Sequence, residues 1–582
     1  MTIERVFDFI SFANEKYGDK IAVAGKKNGR WKEFSFSDYQ RNADYASAAL
    51  LSAGIKKGDH ILNISDNRPE WNFADIGILQ IGAVHVPVFP TINEVELEYI
   101  IKEINPSMIF LSNRFVAKRV KKILNADDNI RVIALDDSAE SEKFSDFLKI
   151  GEANYSSDII AQAKSQVTSK DLASIIYTSG TTTMPKGVML SHMNHVSNVI
   201  VAADLIGIDH TMSRVCYLPL SHSYERMVGY ISSYRGMTVY YNENMVNILS
   251  NFQKVKPSVI TSVPLLLEKI YKGVIDKSAD LKGVSKLIYK LALKNALLTP
   301  EDKQSVIHKI LFPIYDKLVY HKWVDLMGGK VEKIICGGAA LSRDIYYFFR
   351  NIGVPVYDGY GLTEMAPLVS FNNMAFDKPG TVGRILPNII CKLDKDGEIL
   401  LKGANMMMGY YKHSEITEQV IDADGWLHTG DIGVLDDDDF LSITGRKKTI
   451  FKTSSGTYVY PERIENQMKL SSFVDQVIVI GENRDSLGAI ITLDKEYIKK
   501  WIKRNSIEGS PESVISHNLL RKEMDAIVMK YNAKARETHQ ILQYEVLLDE
   551  WTIDTGELTP SMKIKRKVIE TRYTETIKAL FK

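Results

Sequence analysis

Residues 177–187 read Tyr-Thr-Ser-Gly-Thr-Thr-Thr-Met-Pro-Lys-Gly, a stretch that concentrates groups able to hold an oxyanion. Five hydroxyls, on Thr178, Ser179, Thr181, Thr182 and Thr183, can donate to phosphate oxygens, and Lys186 adds a point charge. Gly180 and Gly187 let the backbone approach a ligand closely. The apolar run 172–177 predicts a buried strand before this loop, residues 188–190 a short strand after it, and Ser191 a helix cap. The loop is therefore expected to join two strands. A Walker-type loop, in which Gly-Lys-Ser/Thr opens a helix, fails on spacing, because Pro185 precedes the lysine and Gly187 follows it. A hydroxyl-rich stretch alone does not separate a phosphate cradle from an ordinary Ser/Thr turn, so other motifs must decide.

The elements that would carry such a loop belong to a large chain. At 582 residues and 45% hydrophobic content it exceeds what one core usually supports, which predicts at least two domains. Seventy-three basic residues against seventy-two acidic ones leave a net charge of +1, so there is no global electrostatic basis for nucleic-acid binding, and anion binding must be local. Cys216, Cys336 and Cys391 are too scattered for a disulfide framework or a cysteine-based metal site, which fits a reducing cytoplasm. The first residues, with Glu4 and Asp8, do not read as a secretory signal, and no apolar window is long enough for a spanning helix.

Through about residue 445, short apolar strands at 61–64, 108–111, 132–135 and 259–263 alternate with helical patterns, an α/β signature. One unit can be followed closely: a strand at 331–336, a Gly337-Gly338 turn, a helix from the Ser342 cap to about Ile352, a strand at 354–357 and a loop over 358–364. Ligands of α/β sheets gather at such strand ends. Four aspartates at 436–439 between apolar runs predict a hairpin turn rather than a calcium loop. Beyond residue 445 the pattern changes to a smaller α+β domain, with helical stretches predicted over about 495–505 and 511–537. Residues 281–298 place Lys282, Lys286, Lys290 and Lys294 at four-residue spacing beside Leu287, Ile288 and Leu291, an amphipathic basic helix that could lie on an anionic membrane surface or simply carry a solvated lysine stripe.

Four further stretches accompany the hydroxyl loop: Tyr-Gly-Leu-Thr-Glu at 360–364, Gly-Trp-Leu-His-Thr-Gly-Asp at 425–431, Gly-Arg at 445–446 and Leu-Thr-Pro-Ser-Met-Lys at 558–563. In this order and spacing they resemble the adenylate-forming (AMP-binding) enzyme superfamily, and Leu-Pro-Leu-Ser-His-Ser-Tyr-Glu-Arg at 218–226 resembles its long-chain fatty-acyl-CoA synthetase branch. The resemblance implies a large multi-sheet N-terminal domain over 1–447 and a smaller mobile α+β domain over 448–582, hinged near Lys447 and Lys448. It also implies a two-step ligase that uses ATP, Mg2+ and coenzyme A: a fatty-acid carboxylate attacks the α-phosphate, and the thiol then displaces AMP. A medium-chain or aryl acid, or a carrier-protein thiol as acceptor, remains open on the same motifs. The resemblance further implies a cytoplasmic enzyme, with peripheral contact to the inner membrane face as an option and its oligomeric state open.

Residue by residue, the resemblance implies that Thr178, Ser179, Gly180, Thr181, Thr182 and Lys186 embrace the β- and γ-phosphates and that Glu364, with Thr178, holds Mg2+. Asp431 would accept from the ribose hydroxyls with Arg446 behind it, while Gly337, Gly338, Ala339, Tyr360, Gly361 and Thr363 would form the adenine slot and its acyl-side wall. Lys563 would bridge the acyl carboxylate and α-phosphate during the first step only, His222 and Glu225 sit where this branch keeps a histidine near the carboxylate and ATP, though a buried, satisfied histidine explains that position equally, and Gly456 would line the pantetheine channel. Of Tyr224, Tyr230 and Tyr234, spaced for one side of a helix, each could line an acyl tunnel or belong to the core. Three positions depart from the family pattern: Thr183 stands where glycine is usual, Lys448 where the hinge often has aspartate, and Met562 where many relatives have glycine.

Overall fold

The computed structural model describes residues 2–124, 130–136, 141–178, 184–299, 306–508 and 510–582, with backbone alone for 306–310, 511 and 512. Two large sheets build the body among the described residues, one of nine strands and one of eight. The centre of the eight-stranded sheet runs parallel: His60–Ile64 pairs with Val84–Val88 on one side and Met108–Leu111 on the other, and Leu172–Thr178 lies beyond Val84–Val88. These strands are buried along nearly their whole length, which explains why they read as unbroken apolar runs. Leu172–Thr178 then turns back antiparallel into Lys186–Ser191, so the hydroxyl loop joins two strands as expected, and Ser191 caps the helix His192–Ile206 through a capping box.

The nine-stranded sheet carries Ser213–Cys216, Val259–Ser262, Lys333–Cys336 and Val356–Gly361 in parallel register. Its last parallel strand runs four residues further than the sequence pattern indicated, because residues 359–361 pair antiparallel with Leu368–Phe371; only then does a short 3-10 turn, Thr363–Met365, begin. What looked like a loop over 358–364 is thus mostly strand.

The helix Ser223–Arg235 is keyed by buried ion pairs to the nine-stranded sheet and to the helix Pro69–Gln80. Glu225 meets Arg214 on the nine-stranded side, with both side chains inaccessible to solvent. Arg226 donates to Asp75 of that second helix at 2.5 Å, and Asp75 also accepts from Tyr230 of the first helix at 2.8 Å and holds His85, on the strand Val84–Val88 of the eight-stranded sheet, at 2.5 Å. Burial works against the Asp75 carboxylate, yet the charges of Arg226 and then His85 outweigh it and bring its pKa to about 2. Removing one member of such a pair leaves an uncompensated buried charge, so the helix cannot shift without disturbing both sheets. Glu225 is therefore a structural anchor and does not line the cavity described below, contrary to the expectation from its motif.

After a four-stranded antiparallel sheet, in which Leu427–Leu435 and Leu441–Arg446 turn through the aspartate hairpin, the chain enters a separate core built on Val459, Ile464, Val477, Leu487 and Ile491. Its sheet is Val474–Ile480, Leu487–Leu493 and Ile541–Leu547. The helical stretch expected over 511–537 is broken: Pro511–Val514 and Asn518–Asn532 are separate helices, and Glu537–His539 is a 3-10 turn. The His517 side chain caps the second helix by accepting from the Leu519 N–H, a local start signal that charge pattern does not reveal.

Burial also sets an acid limit. His192 is fully buried, its Nδ1 accepting from the Val6 N–H at 3.2 Å, and burial lowers its pKa to about 4. The unfolded chain titrates near 6.5, so below that pH it binds the proton and the folded chain does not; stability is lost as pH falls from about 6.5 towards 4. His192→Asn, which keeps an acceptor for Val6, is expected to flatten the fall of thermal midpoint over this window. An unchanged pH slope would contradict the assignment.

Candidate active site

The stem of the hydroxyl-rich loop is visible on both sides. Thr178 and Lys186 are register partners, and the Thr178 hydroxyl donates to the Lys186 carbonyl at 3.5 Å, while Ser179, Gly180, Thr181, Thr182 and Thr183 fall outside the described residues. The Lys186 ammonium stands 5.5 Å from the Tyr410 ring centre. Its pKa is lowered, first by desolvation and then by the charge of Lys448, with Glu364 and Glu415 acting in the opposite sense. Tyr410 donates to Glu364 at 2.7 Å and so fixes the carboxylate that follows the Thr363 turn.

Two backbone constraints shape the opposite wall. Gly338 has φ +84°, a left-handed conformation that glycine accepts without a Cβ penalty. A Cβ on Gly361 would stand 2.3 Å from the Pro367 carbonyl oxygen, so only glycine lets the strand pass there. Thr363 is tied to Ser223 by a hydroxyl contact at 3.1 Å, which joins this wall to the first turn of the keyed helix. That helix is capped by His222, whose Nδ1 accepts from the Tyr224 N–H at 3.2 Å. Desolvation, then the nearby Lys563 charge, lowers the His222 pKa to about 4, so the imidazole is neutral at pH 7 with its proton on Nε2.

Asp431 is 4% exposed and is gripped from two sides: Tyr360 donates to one oxygen at 2.7 Å and Arg446 Nε to the other at 2.8 Å. The Asp431 charge holds the Arg446 pKa above its ordinary range, while burial, then Asp431, pushes up that of Tyr360. Each carboxylate oxygen keeps a second lone pair for another donor.

Lys563 arrives from the C-terminal region on a tight hairpin. Its N–H donates to the Thr559 hydroxyl at 3.0 Å, the Thr559 N–H donates back to the Lys563 carbonyl at 2.8 Å, and Leu558 bridges Ile564. Met562 takes φ +63°, a left-handed conformation with a modest steric cost for a residue that has a Cβ. The Lys563 side chain retains solvent contact through the cavity but is closely surrounded; desolvation, followed by the charge of Arg446, lowers its pKa, and Asp431, Glu462 and Glu364 oppose that shift.

All these walls enclose one cavity of about 710 Å3. Thr178, Lys186, His222, Gly337, Gly338, Tyr360, Gly361, Thr363, Glu364, Arg446 and Lys563 line it. Asp431 stands just behind Tyr360 and Arg446, whereas Ala339 and Gly456 do not reach the cavity. Tyr224 lines it, but Tyr230 is taken up by Asp75 and Tyr234 packs on Phe9 and Phe12. Tyr410 lines the cavity with no signal in the sequence, whereas Ser223 and Thr429 lie inside motifs singled out there without being given a role, and Lys448 was named only as a hinge residue.

The fold and this cavity define an AMP-binding enzyme, and the chain belongs to that family: the family described as AMP-binding enzyme matches residues 11–411, and AMP-binding enzyme C-terminal domain matches 448–582. The chain is 30% identical to long-chain-fatty-acid–CoA ligase FadD15 of Mycobacterium tuberculosis, over 95% of this chain and 93% of that protein. It is also 30% identical to the peroxisomal long chain acyl-CoA synthetase 6 of Arabidopsis thaliana, over 98% of this chain and 84% of the relative. Among solved structures it resembles the A domain of carboxylic acid reductase from Segniliparus rugosus in complex with AMP, with TM-score 0.78, 20% identity and coverage of 99% and 94%. ATP-bound MatB from Rhodopseudomonas palustris matches with TM-score 0.73, 19% identity and coverage of 99% and 100%.

Proposed function

We propose that this chain is a long-chain fatty-acid–CoA ligase that forms an acyl adenylate. A fatty-acid carboxylate oxygen attacks the α-phosphorus of ATP and pyrophosphate leaves; the coenzyme A thiol then attacks the acyl carbon, loses its proton, and AMP leaves with the C–O bond pair. The observation that carries this reading is the convergence of cations from distant parts of the chain, Lys186, Arg446 and Lys563, on one cavity. In the first step an anion approaches a polyanion, so placement and charge neutralisation outweigh any need for a general base.

In this reading Thr178 and Lys186 take the outer phosphates, Asp431 and Arg446 the ribose side, and Gly337, Gly338 and Tyr360 the adenine. Lys563 spans the carboxylate and α-phosphate, and neutral His222 donates from Nε2 without adding a charge. Glu364 and Thr178, hard oxygen donors, would hold Mg2+ that travels with the nucleotide and neutralises phosphate charge. A single carboxylate suits an ion that takes its remaining ligands from phosphate and water; among the described residues there is no cluster of three or more metal-binding side chains. The mobile unit is 448–582, hinged at Lys447 and Lys448, and its withdrawal would clear the acyl carbon for the thiol.

The reading includes a cytoplasmic enzyme touching anionic lipid. The helix Gly283–Ala296 leaves Val284, Leu287 and Leu291 exposed by 72%, 58% and 44%, beside Lys282, Lys290 and Lys294. No helix among the described residues is long and apolar enough to cross a membrane.

Pyrophosphate release is expected to be fastest with oleate when octanoate, benzoate and acetate are offered in parallel. Lys563→Ala is expected to slow adenylation by roughly a hundredfold, about 3 kcal/mol of transition-state stabilisation, while thioester formation from supplied acyl-AMP survives. Equal losses in both half-reactions would remove Lys563 from its role. For the membrane contact, changing all four lysines of 281–298 to glutamate should abolish pelleting with anionic liposomes, and unchanged pelleting would exclude this helix.

A further inference from the structure

We propose that Glu96 is a positioning residue for Lys563, acting through Lys565, and that the helix Glu94–Ile104 is the dock against which the Lys563 hairpin is set for the first step. This inference rests on the function proposed above. The Lys565 ammonium meets Glu96 at 3.1 Å, with the two side chains 16% and 11% exposed. Lys565 is locked into the same hairpin as Lys563, its N–H donating to the Glu557 carbonyl at 2.7 Å beside the Leu558–Ile564 bridge. Side chains two residues apart in extended backbone share a face. Lys563 and Lys565 therefore both point at the N-terminal body, while Ile564 packs against the C-terminal core of Ile478, Trp551 and Leu558.

The hairpin tip is seated as well. Pro560 closes a recess formed by Ile92, Glu96, Ile100, Tyr177 and Pro185, leaving a void of only about 20 Å3. On the other side of the same tip, Thr559, Ser561 and Lys563 line the large cavity. The dock itself is firm: Leu97, Ile100, Ile101 and Ile104 are buried against the eight-stranded sheet.

One turn arrangement makes Glu96 suited to a contact that must be made and broken. It lies in the first turn of its helix, where its N–H is capped by Asn93 at 2.8 Å and the helix dipole stabilises an anion. Its Oε2 is buried without a hydrogen-bond partner among the described residues, so the grip on Lys565 runs through one oxygen. The helix dipole offsets part of the cost of leaving Glu96 unpaired once the hairpin withdraws.

The far end of the helix supports the phosphate loop. Glu103, seven residues on and so on the same face, accepts from Tyr177 at the foot of the loop and contacts Tyr99 and, at 3.0 Å, His413. One helix thus spaces Lys563 from the loop that carries Lys186. Neither the Glu96–Lys565 pair nor the Glu103 hydrogen bonds touch the reacting atoms; both set where the reacting cations stand.

The test is a double-mutant cycle on the full chain. Glu96→Gln and Lys565→Met are each expected to lower kcat for acyl-adenylate formation roughly tenfold with little change in KM for ATP or acid, and the double variant to lose no more than either single one. Thioester formation from supplied acyl-AMP should stay at the wild-type rate. A readout independent of turnover is the distance distribution between spin labels at Lys102→Cys and Lys567→Cys in a Cys391→Ser background, where Glu96→Gln should deplete the short, docked population. Additive losses, equal losses in both half-reactions, or an unchanged distance distribution would overturn the inference. Wild-type protein that docks but never releases pyrophosphate would overturn the proposed function and leave the dock standing.

Discussion

Like charges crowded into one cavity are the constraint on which the rest of the structure turns. Lys186, Lys448, Arg446 and Lys563 face the same space, and the pKa of Lys186 and of Lys563 is lowered by burial first and by a neighbouring cation next. Glu364, Asp431 and Glu462 offset part of this repulsion but leave the site short of negative charge. A protein that gathers cations at such a cost is complementary to a polyanion, and the strongest interactions form only when one is present.

Holding the cations in place is a problem of rigidity on one side and reversibility on the other. The N-terminal side is secured by the helix Ser223–Arg235, whose consecutive Glu225 and Arg226 are paired with a strand and with a neighbouring helix, so that His222, Ser223 and Tyr224 meet the cavity at a set height. The C-terminal side meets the body through polar contacts. Besides Lys565 with Glu96, Lys272 donates to the Val474 carbonyl at 2.9 Å, Ser472 to Asp276 at 2.9 Å, and Arg504 pairs with Asp280 at 3.0 Å. Contacts of this kind have small net free energies, because water replaces each partner when they open. A large apolar interface would have frozen the two parts together.

Much of this was legible in the residues themselves. Apolar runs marked the parallel strands because both faces of those strands are covered, and Ser191 and Ser342 marked helix starts because capping chemistry is local. The motif residues from Thr178 to Lys563 largely reappear around one cavity because each motif sits at a strand end or turn, where spacing in sequence survives folding. What escaped was non-local. Tyr410 gains its place only by reaching Glu364 across 46 residues, and Glu96 meets Lys565 across 469. Glu225 was misread because a motif says nothing about which face of its helix points inward. The strand at 359–361 was missed because its partner, Leu368–Phe371, supplies the pairing.

The claim that repulsion among cavity cations is relieved by a triphosphate can be measured as proton uptake. Calorimetric titration of ATP into the protein at about pH 9, in buffers of different ionisation enthalpy, should show net protonation of the protein on binding, because lysines with lowered pKa values return towards 10.5 when paired with phosphate. Lys563→Met should bind ATP with a smaller uptake. Binding of ATP with no buffer-dependent heat, or with identical uptake in the variant, would contradict the central role given to Lys563 and its neighbouring cations.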